Sequence, residues 1–510
     1  MDATQRALCV SEVCREICTA VSSLEQKCER QDALAMLARC SRTFSEPAMD
    51  LLWRKLDQLD SLLVLIPAVK VASPTPRGRS RYYTVQRPVL TEDWESFDKY
   101  AYHIRDLNLT LWPPLSCSIE HSIYRQLASY RPGPWLPSLR RLRWIHKREV
   151  RFTHELFEEL VPFLSLSLHD LSFGTETGDD YEQEPTVSQG ELQPVYDLVS
   201  SKCPFLESLL LSHPIPTASL EFIRDLKHLR SLTVISDDPL PPTAFKSIFS
   251  LATIQSLTLS GVYYTDIPTD LEQHVLLRLS SLTSLSLSRS DTAILRVLDL
   301  ISSPNIHTLH FTIEGGHWKD LIDGVGHLSR YRHSLTSVCL FAPAELDESG
   351  DSSPGEAGIQ ILNNLFTLCG IKSMDLNLGW FCHPQFETTP PLSTDIAHRM
   401  ALAWPNLHTL RINGFSFMFT LVTLATLTAH SKHLIHLSVP LQRFAYDVDR
   451  FFLSHSESSY ACYSLQHFDL TPSGPINEEG LTQAFELLYP NLLEVSYPSG
   501  LQRLPAGISG

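Results

Sequence analysis

The chain has 510 residues, 43% of them hydrophobic and 19% charged, a balance that disfavours disorder, collagen and coiled coil. Its formal net charge of −16 argues against a nucleic-acid or anionic-membrane partner, because both need clustered Lys and Arg to neutralise phosphates. The eleven cysteines are scattered and include no Cys-x-x-Cys pair, so reduced thiols in a cytoplasmic or nuclear compartment are expected. Cys9, Cys14 and Cys18 share one helical stretch at spacings unlike a zinc clip and read as small buried hydrophobes. No basic segment followed by an apolar one opens the sequence, so no secretory signal is expected. The most apolar stretches, Leu62 to Ala72 and Phe415 to Ala429, fall short of the roughly 18 residues that cross a bilayer.

Residues 7 to 56 read as three short helices. Val10, Val13, Ile17 and Val21 lie along one helical face, Glu25 to Asp32 is polar, and Leu34, Leu37, Ala38 and Ser41 restart a helix. Ser45-Glu46-Pro47 marks a third start, followed by Ala48, Leu51, Leu52 and Leu56. A unit this small buries too little apolar surface to stand alone, so it needs its neighbours or a partner.

At these residues the sequence resembles the F-box, the module that docks on the Skp adaptor of cullin-RING ubiquitin ligases. The matching positions are Val10, Glu12, Val13 and Ile17, then Leu34, Leu37, Ala38, Cys40, Ser41, Arg42 and Phe44, and finally Leu51, Leu52, Trp53 and Leu56. The phrase LARCSRTFSEPAMDLLWRKLDQLDSLLVLIP is similar to many fungal F-box proteins with degenerate leucine-rich repeats. The resemblance implies adaptor contacts through Val10, Val13, Ile17, Leu34, Leu37, Phe44, Leu51, Leu52, Trp53 and Leu56. One position departs: the Pro that usually precedes the first-helix Glu is Ser11. The competing expectation is an N-terminal helical cap for the repeats that follow, since an array must cover its terminal apolar face. A cap turns its apolar residues inward, whereas an adaptor-binding module leaves some of Val10, Val13, Ile17, Leu51 and Trp53 facing solvent.

Residues 61 to 100 read as a linker and the start of an array, with the basic stretch Arg77 to Arg87 as a solvated part of it. From Ile104 to Tyr497 a hexad, apolar-x-x-apolar-x-apolar, recurs every 23 to 38 residues. Its fourteen copies begin at Ile104, Leu139, Leu168, Leu206, Leu229, Ile254, Leu282, Ile306, Leu335, Ile371, Leu407, Leu434, Leu465 and Leu492. The last four residues of each alternate with period two and fit a short strand with one buried face. Segments between hexads carry helical spacing, as in Leu192, Val195, Tyr196 and Val199 or Ile294, Val297, Leu298 and Ile301. Pro204, Pro304, Pro405 and Pro490 each stop such a segment just before the next hexad.

The predicted fold is therefore α/β: a three-helix F-box-like domain over 7–60, then a curved solenoid of about fourteen irregular strand–helix repeats over 101–500, and a tail over 501–510. The hexads resemble the leucine-rich repeat family, with strands lining the concave side, but the Asn or Cys that usually follows the hexad is missing. Three polar insertions, Gly174 to Glu191, Glu345 to Gly358 and His383 to Ser393, read as loops on the array.

No nucleophile elbow, zinc-protease, P-loop or dinucleotide-binding motif occurs, so no catalytic residue, metal or cofactor is assigned. His430, His433 and His436 read as surface or capping histidines, and Asp179, Asp180 and Glu182 as a solvated loop. On the exposed strand face, Ser and Thr fill the middle of the array while charge gathers toward both ends. Arg141, Arg143, Arg411 and His467 are the candidate contacts to a protein substrate, because interface energy concentrates in Arg and aromatic anchors. The functional expectation is a substrate-recognition subunit of a ubiquitin ligase; the alternative is a repeat scaffold outside any ligase.

Overall fold

The computed structural model describes residues 11–72, 82–110, 121–146, 159–175, 189–212, 220–236, 240, 242–261, 279–301, 303–342, 354–378, 391–413, 417–441, 462–472, 485–486, 488–497 and 500–503. The chain divides into two compact units, Met1–Asp237 and Asp238–Gly510.

The first unit opens with helices α1 (Ser11–Ser22), α2 (Lys27–Cys40) and α3 (Arg42–Trp53). Their own buried cluster consists of Cys14, Cys18, Leu34, Phe44 and Ala48. Cys14 and Cys18, one turn apart, form the inward stripe of α1, in keeping with their reading as small hydrophobes. The starts of the second and third helices differ from the sequence expectation. Helix α2 begins at Lys27, inside the polar run, because its charged side chains sit on the outer face. Helix α3 begins at Arg42 rather than near Ser45: the Ser41 hydroxyl accepts the Phe44 amide at 3.4 Å and caps it. Pro47 then falls inside the helix.

The remaining first-unit strands are β1 (Lys55–Leu56), β2 (Val69–Ala72), β3 (Tyr82–Val85), β4 (Asp106–Thr110), β5 (Arg141–His146), β6 (Asp170–Thr175), β7 (Ser208–Ser212) and β8 (Ser231–Ile235). Strands β1 and β4 to β8 pair in parallel order, while β2 and β3 form an antiparallel hairpin. The end of the basic stretch is thus a strand rather than solvated linker, since Tyr83 is buried and pairs opposite Val71; Arg77 lies outside the described residues. Arg87 donates to both carboxylate oxygens of Asp93, at 2.6 and 2.7 Å.

The second unit holds β9 (Ser256–Ser260), β10 (Ser284–Asp291), β11 (Thr308–Gly315), β12 (Ser337–Phe341), β13 (Ser373–Asn377), β14 (Thr409–Asn413), β15 (His436–Leu441), β16 (His467–Pro472) and β17 (Glu494–Tyr497), all parallel. Strand β18 (Gly500–Arg503) closes this edge antiparallel to β17.

Every hexad becomes one rung. Leu206, Leu209 and Leu211, or Leu335, Val338 and Leu340, are almost wholly buried, at roughly 1.5–3 kcal/mol of transfer free energy per side chain. At the start of a rung two successive amides converge on one carbonyl of the preceding rung, as Glu207 and Ser208 do on His169 and His408 and Thr409 do on Lys372. Arg105 and Asp106 make the same pair of bonds to Arg54, which makes Trp53 to Gln58 an additional first rung. Its sixth position is the polar Gln58, so the hexad pattern does not reveal it.

Helical segments fill the space between rungs, among them Gln189–Lys202, Pro354–Leu365, Thr394–Ala403 and Leu421–His430. The spacing at Ile294 to Ile301 yields a 3-10 turn over Thr292–Arg296, capped by Asp291, and one α turn over Val297–Leu300. The insertions are shorter than their polar composition suggests. Gly174 and Thr175 complete β6, Pro354 starts a helix, and Ser393 caps the helix that begins at Thr394, accepting the Ile396 amide at 3.3 Å. The intervening 176–188, 343–353 and 379–390, with Asp179, Asp180 and Glu182, lie outside the described residues. No helix among the described residues is long and apolar enough to cross a membrane.

Candidate functional site

Two surfaces carry the candidate residues. On the helical module, Val13 is 36% exposed on α1, while Ile17, Leu37, Leu51 and Leu52 are half-buried at the edge of the module's cluster. Leu34 and Phe44 lie inside that cluster and shape the module rather than face outward. Val10 is outside the described residues. Trp53 and Leu56 occupy first-rung positions: Leu56 pairs opposite Leu107 in β4, and the Trp53 ring lies against Tyr100. The helical periodicity overlooked Met36 and Leu24, which are 65% and 43% exposed. Met36 sits beside Leu37 but off the stripe that buries Leu34, and a single apolar residue off a stripe gives no periodic signal.

Lys27 of α2 pairs with Asp57 just beyond β1, and His103 Nδ1 lies 3.4 Å from Asp50 Oδ1 of α3. The module is therefore fastened to the first rungs by polar contacts and one aromatic pair, while its buried cluster stays its own.

On the strand face the x residues form rows across neighbouring rungs. In the first unit one row runs Asp106, Arg141, Asp170, Ser208, Ser231 and the next Asn108, Arg143, Ser172, Leu210, Thr233. Arg141 Nε lies 3.5 Å from Asp106 Oδ1. Burial raises the Asp170 carboxyl above the usual carboxylate range, with Arg141 and a Ser208 hydrogen bond pulling the other way. The Arg143 side chain is exposed and, among the described residues, makes no hydrogen bond or ion pair.

In the second unit one row ends Thr409, His436, His467, Glu494 and its neighbour reads Cys339, Asp375, Arg411, Ser438, Asp469. Arg411 Nη1 lies 3.7 Å from Asp375 Oδ2, and His467 Nδ1 lies 3.4 Å from Glu494 Oε2. The rings of His436 and His467 stack at 4.5 Å and 9°. Partial burial first, then the charges of His467 and Arg411, hold the His436 imidazole below its ordinary value, offset in part by Asp469. Arg141, Arg411 and His467 are thus each engaged by a neighbouring carboxylate, and Arg143 alone of the four keeps its charge unmet.

His430 bonds the Thr426 carbonyl at 2.9 Å and His433 stacks on His408, so they and His436 serve separate local roles. Among the described residues no three His, Cys, Asp or Glu side chains gather as a metal site.

No protein-family model matches the chain, and no curated protein matches it. Among solved structures it is similar to a chain of the crystal structure of the Rad7 and Elc1 complex in yeast. The two are 15% identical, the match covers 74% of this chain and 81% of that one, and the TM-score is 0.39.

Proposed function

We propose that this chain is a substrate-recognition subunit of a cullin-RING ubiquitin ligase. Helices α1 to α3, within residues 7–60, dock a Skp-type adaptor, and the repeat strands over 101–500 hold a target protein on their x face. The work is done by proximity: raising the effective concentration of target lysines near a loaded ubiquitin carrier needs no catalytic residue in this chain. Such a subunit acts in the cytoplasm or nucleus.

The observation that carries this reading is the composition of the module's interior. Its buried cluster comes from the three helices alone, while Val13, Leu24 and Met36 face solvent. A pure cap spends its apolar residues on the array, whereas a docking module keeps a core of its own and offers apolar residues outward. The test is co-purification of the full chain with a purified Skp-type adaptor. Wild type is expected to be retained and a Val13→Asp, Met36→Asp double variant lost while its thermal midpoint stays put; equal retention of both, or of neither, overturns the proposal.

A second reading, a scaffold with a helical cap, draws on the seam at Trp53 to Leu56. There α3 runs directly into the first rung, as a cap would. It differs in expecting no adaptor retention at all.

A further inference from the structure

The first unit contains a cavity of about 330 Å³ on its strand face, lined by Arg143, Ile145, Ser172, Thr175, Leu210, Ser212 and Ile235. Its origin is legible in the register. Beyond the second row Ile145 pairs with Gly174 and Ser212 with Ile235, and Gly174 stands against Ser212, so two bulky side chains flank one absent and one small. Gly174 is required there. Its φ is +142°, and a Cβ built on it would stand 1.7 Å from the Ser212 carbonyl oxygen. The Ser212 hydroxyl donates to the Thr175 carbonyl at 2.7 Å, fixing the floor of the depression.

We infer that this cavity binds a peptide segment bearing one carboxylate beside an apolar side chain, with Arg143 as the anion anchor; the inference names the substrate class of the receptor proposed above and rests on that reading. Three observations select this occupant. Arg143 brings an unmatched positive charge to a wall where Leu210 and Ile235 offer apolar surface over the buried Ile145. The hydroxyl of Ser172, next to Arg143 in register, makes no hydrogen bond among the described residues and is placed to donate to the same anion. The adjoining row holds Asp106, Arg141 and Asp170, a net charge of one negative, which repels a phosphate dianion more strongly than a carboxylate. A lone guanidinium matched to a lone carboxylate is the complementary pair.

The experiment uses the full chain and an immobilised library of random octapeptides in three forms: free C-terminal acid, C-terminal amide, and amide with phosphoserine. Wild type is expected to select peptides carrying Asp, Glu or a free C-terminus next to Leu, Ile, Val or Phe. The amide arm separates the sources: selection that survives amidation uses an acidic side chain, and selection that disappears uses the chain terminus. Arg143→Met should weaken the selected peptides by about tenfold or more. Ser172→Asp, which supplies an internal carboxylate to Arg143, should do the same, while Lys319→Met, an exposed position on the helix Trp318–Gly326 away from the strand face, leaves binding unchanged. Circular-dichroism melting confirms that each variant folds. Selection of peptides without a carboxylate, preference for phosphoserine, no selection at all, or unchanged affinity in Arg143→Met overturns the inference. Adaptor retention is read separately, so a failed pull-down with intact peptide selection refutes the receptor reading and leaves the pocket standing.

Discussion

The indole of Trp53, last residue of α3, lies against the phenol ring of Tyr100 with centroids 4.6 Å apart and planes inclined at 32°. Tyr100 belongs to the helix Glu95–Ala101 that leads into β4, so this pair joins the helical module to the start of the repeats. An aromatic pair contributes about 0.5–1.5 kcal/mol beyond the area it buries. In a double-mutant cycle of Trp53→Ala and Tyr100→Ala, a coupling of about 1 kcal/mol is expected by chemical denaturation. Strictly additive losses would show that the two rings are neighbours without mutual stabilisation.

Gly174 cannot accept a side chain without strain, because its Cβ would meet Ser212 backbone and its φ lies in the glycine region. Gly174→Ala is expected to cost about 2–4 kcal/mol. Gly133, with nothing within 4 Å of a built Cβ, serves as the control, and Gly133→Ala should change stability by no more than about 0.5 kcal/mol. Thermal melting of the two variants side by side decides it; equal midpoints would remove the argument for a glycine-built depression.

Asp93 accepts two hydrogen bonds from Arg87 and one from the Leu90 amide at 2.8 Å, and these hold its carboxyl below the ordinary carboxylate value. Because the folded value is depressed, the stabilisation is present above the unfolded value of about 4 and is lost as pH falls through the folded one. Asp93→Asn should therefore lower the melting temperature at pH 7 and narrow its gap to wild type below about pH 3. A gap that stays constant from pH 7 to pH 2.5 would mean the contact stabilises by shape and not by charge.

His436 behaves in the opposite chemical sense with the same direction in pH. Its imidazole is held below its ordinary value, so the unfolded chain takes up the proton first as pH falls below about 6.5. Stability of the second unit should drop between about pH 7 and pH 5, and His436→Gln should flatten that slope. Hydrogen exchange of residues 409–441 at pH 7.5 and 5.5 provides the measurement; protection that rises on acidification would reverse the assigned sign.

The fourteen repeats were legible because three apolar positions per hexad is also the number buried in each rung from Ile104 to Val439, and the Pro residues mark where the chain turns into the strand. The first rung was hidden by a single residue, Gln58 at its sixth position, although its backbone bonds match the others. Helix ends were less legible: Ser41 outcompeted Ser45 as the α3 cap because the Phe44 that follows Ser41 had to enter the buried cluster. At the strand face, sequence selected the four basic candidates by residue type, but only their neighbours distinguish Arg143 from the paired Arg141, Arg411 and His467. No pattern in one sequence records that Asp106, Asp375 and Glu494 stand opposite three of them on the next strand.

The most direct measurement of adaptor docking is amide hydrogen exchange of the full chain with and without a purified Skp-type adaptor. Protection is expected within residues 11–53, strongest in peptides containing Val13 and Met36, with the strand face from β5 to β17 unchanged. Protection that appears on the strand face while α1 to α3 exchange as before, or no protection anywhere at saturating adaptor, would contradict the assignment of the helical module as the docking element.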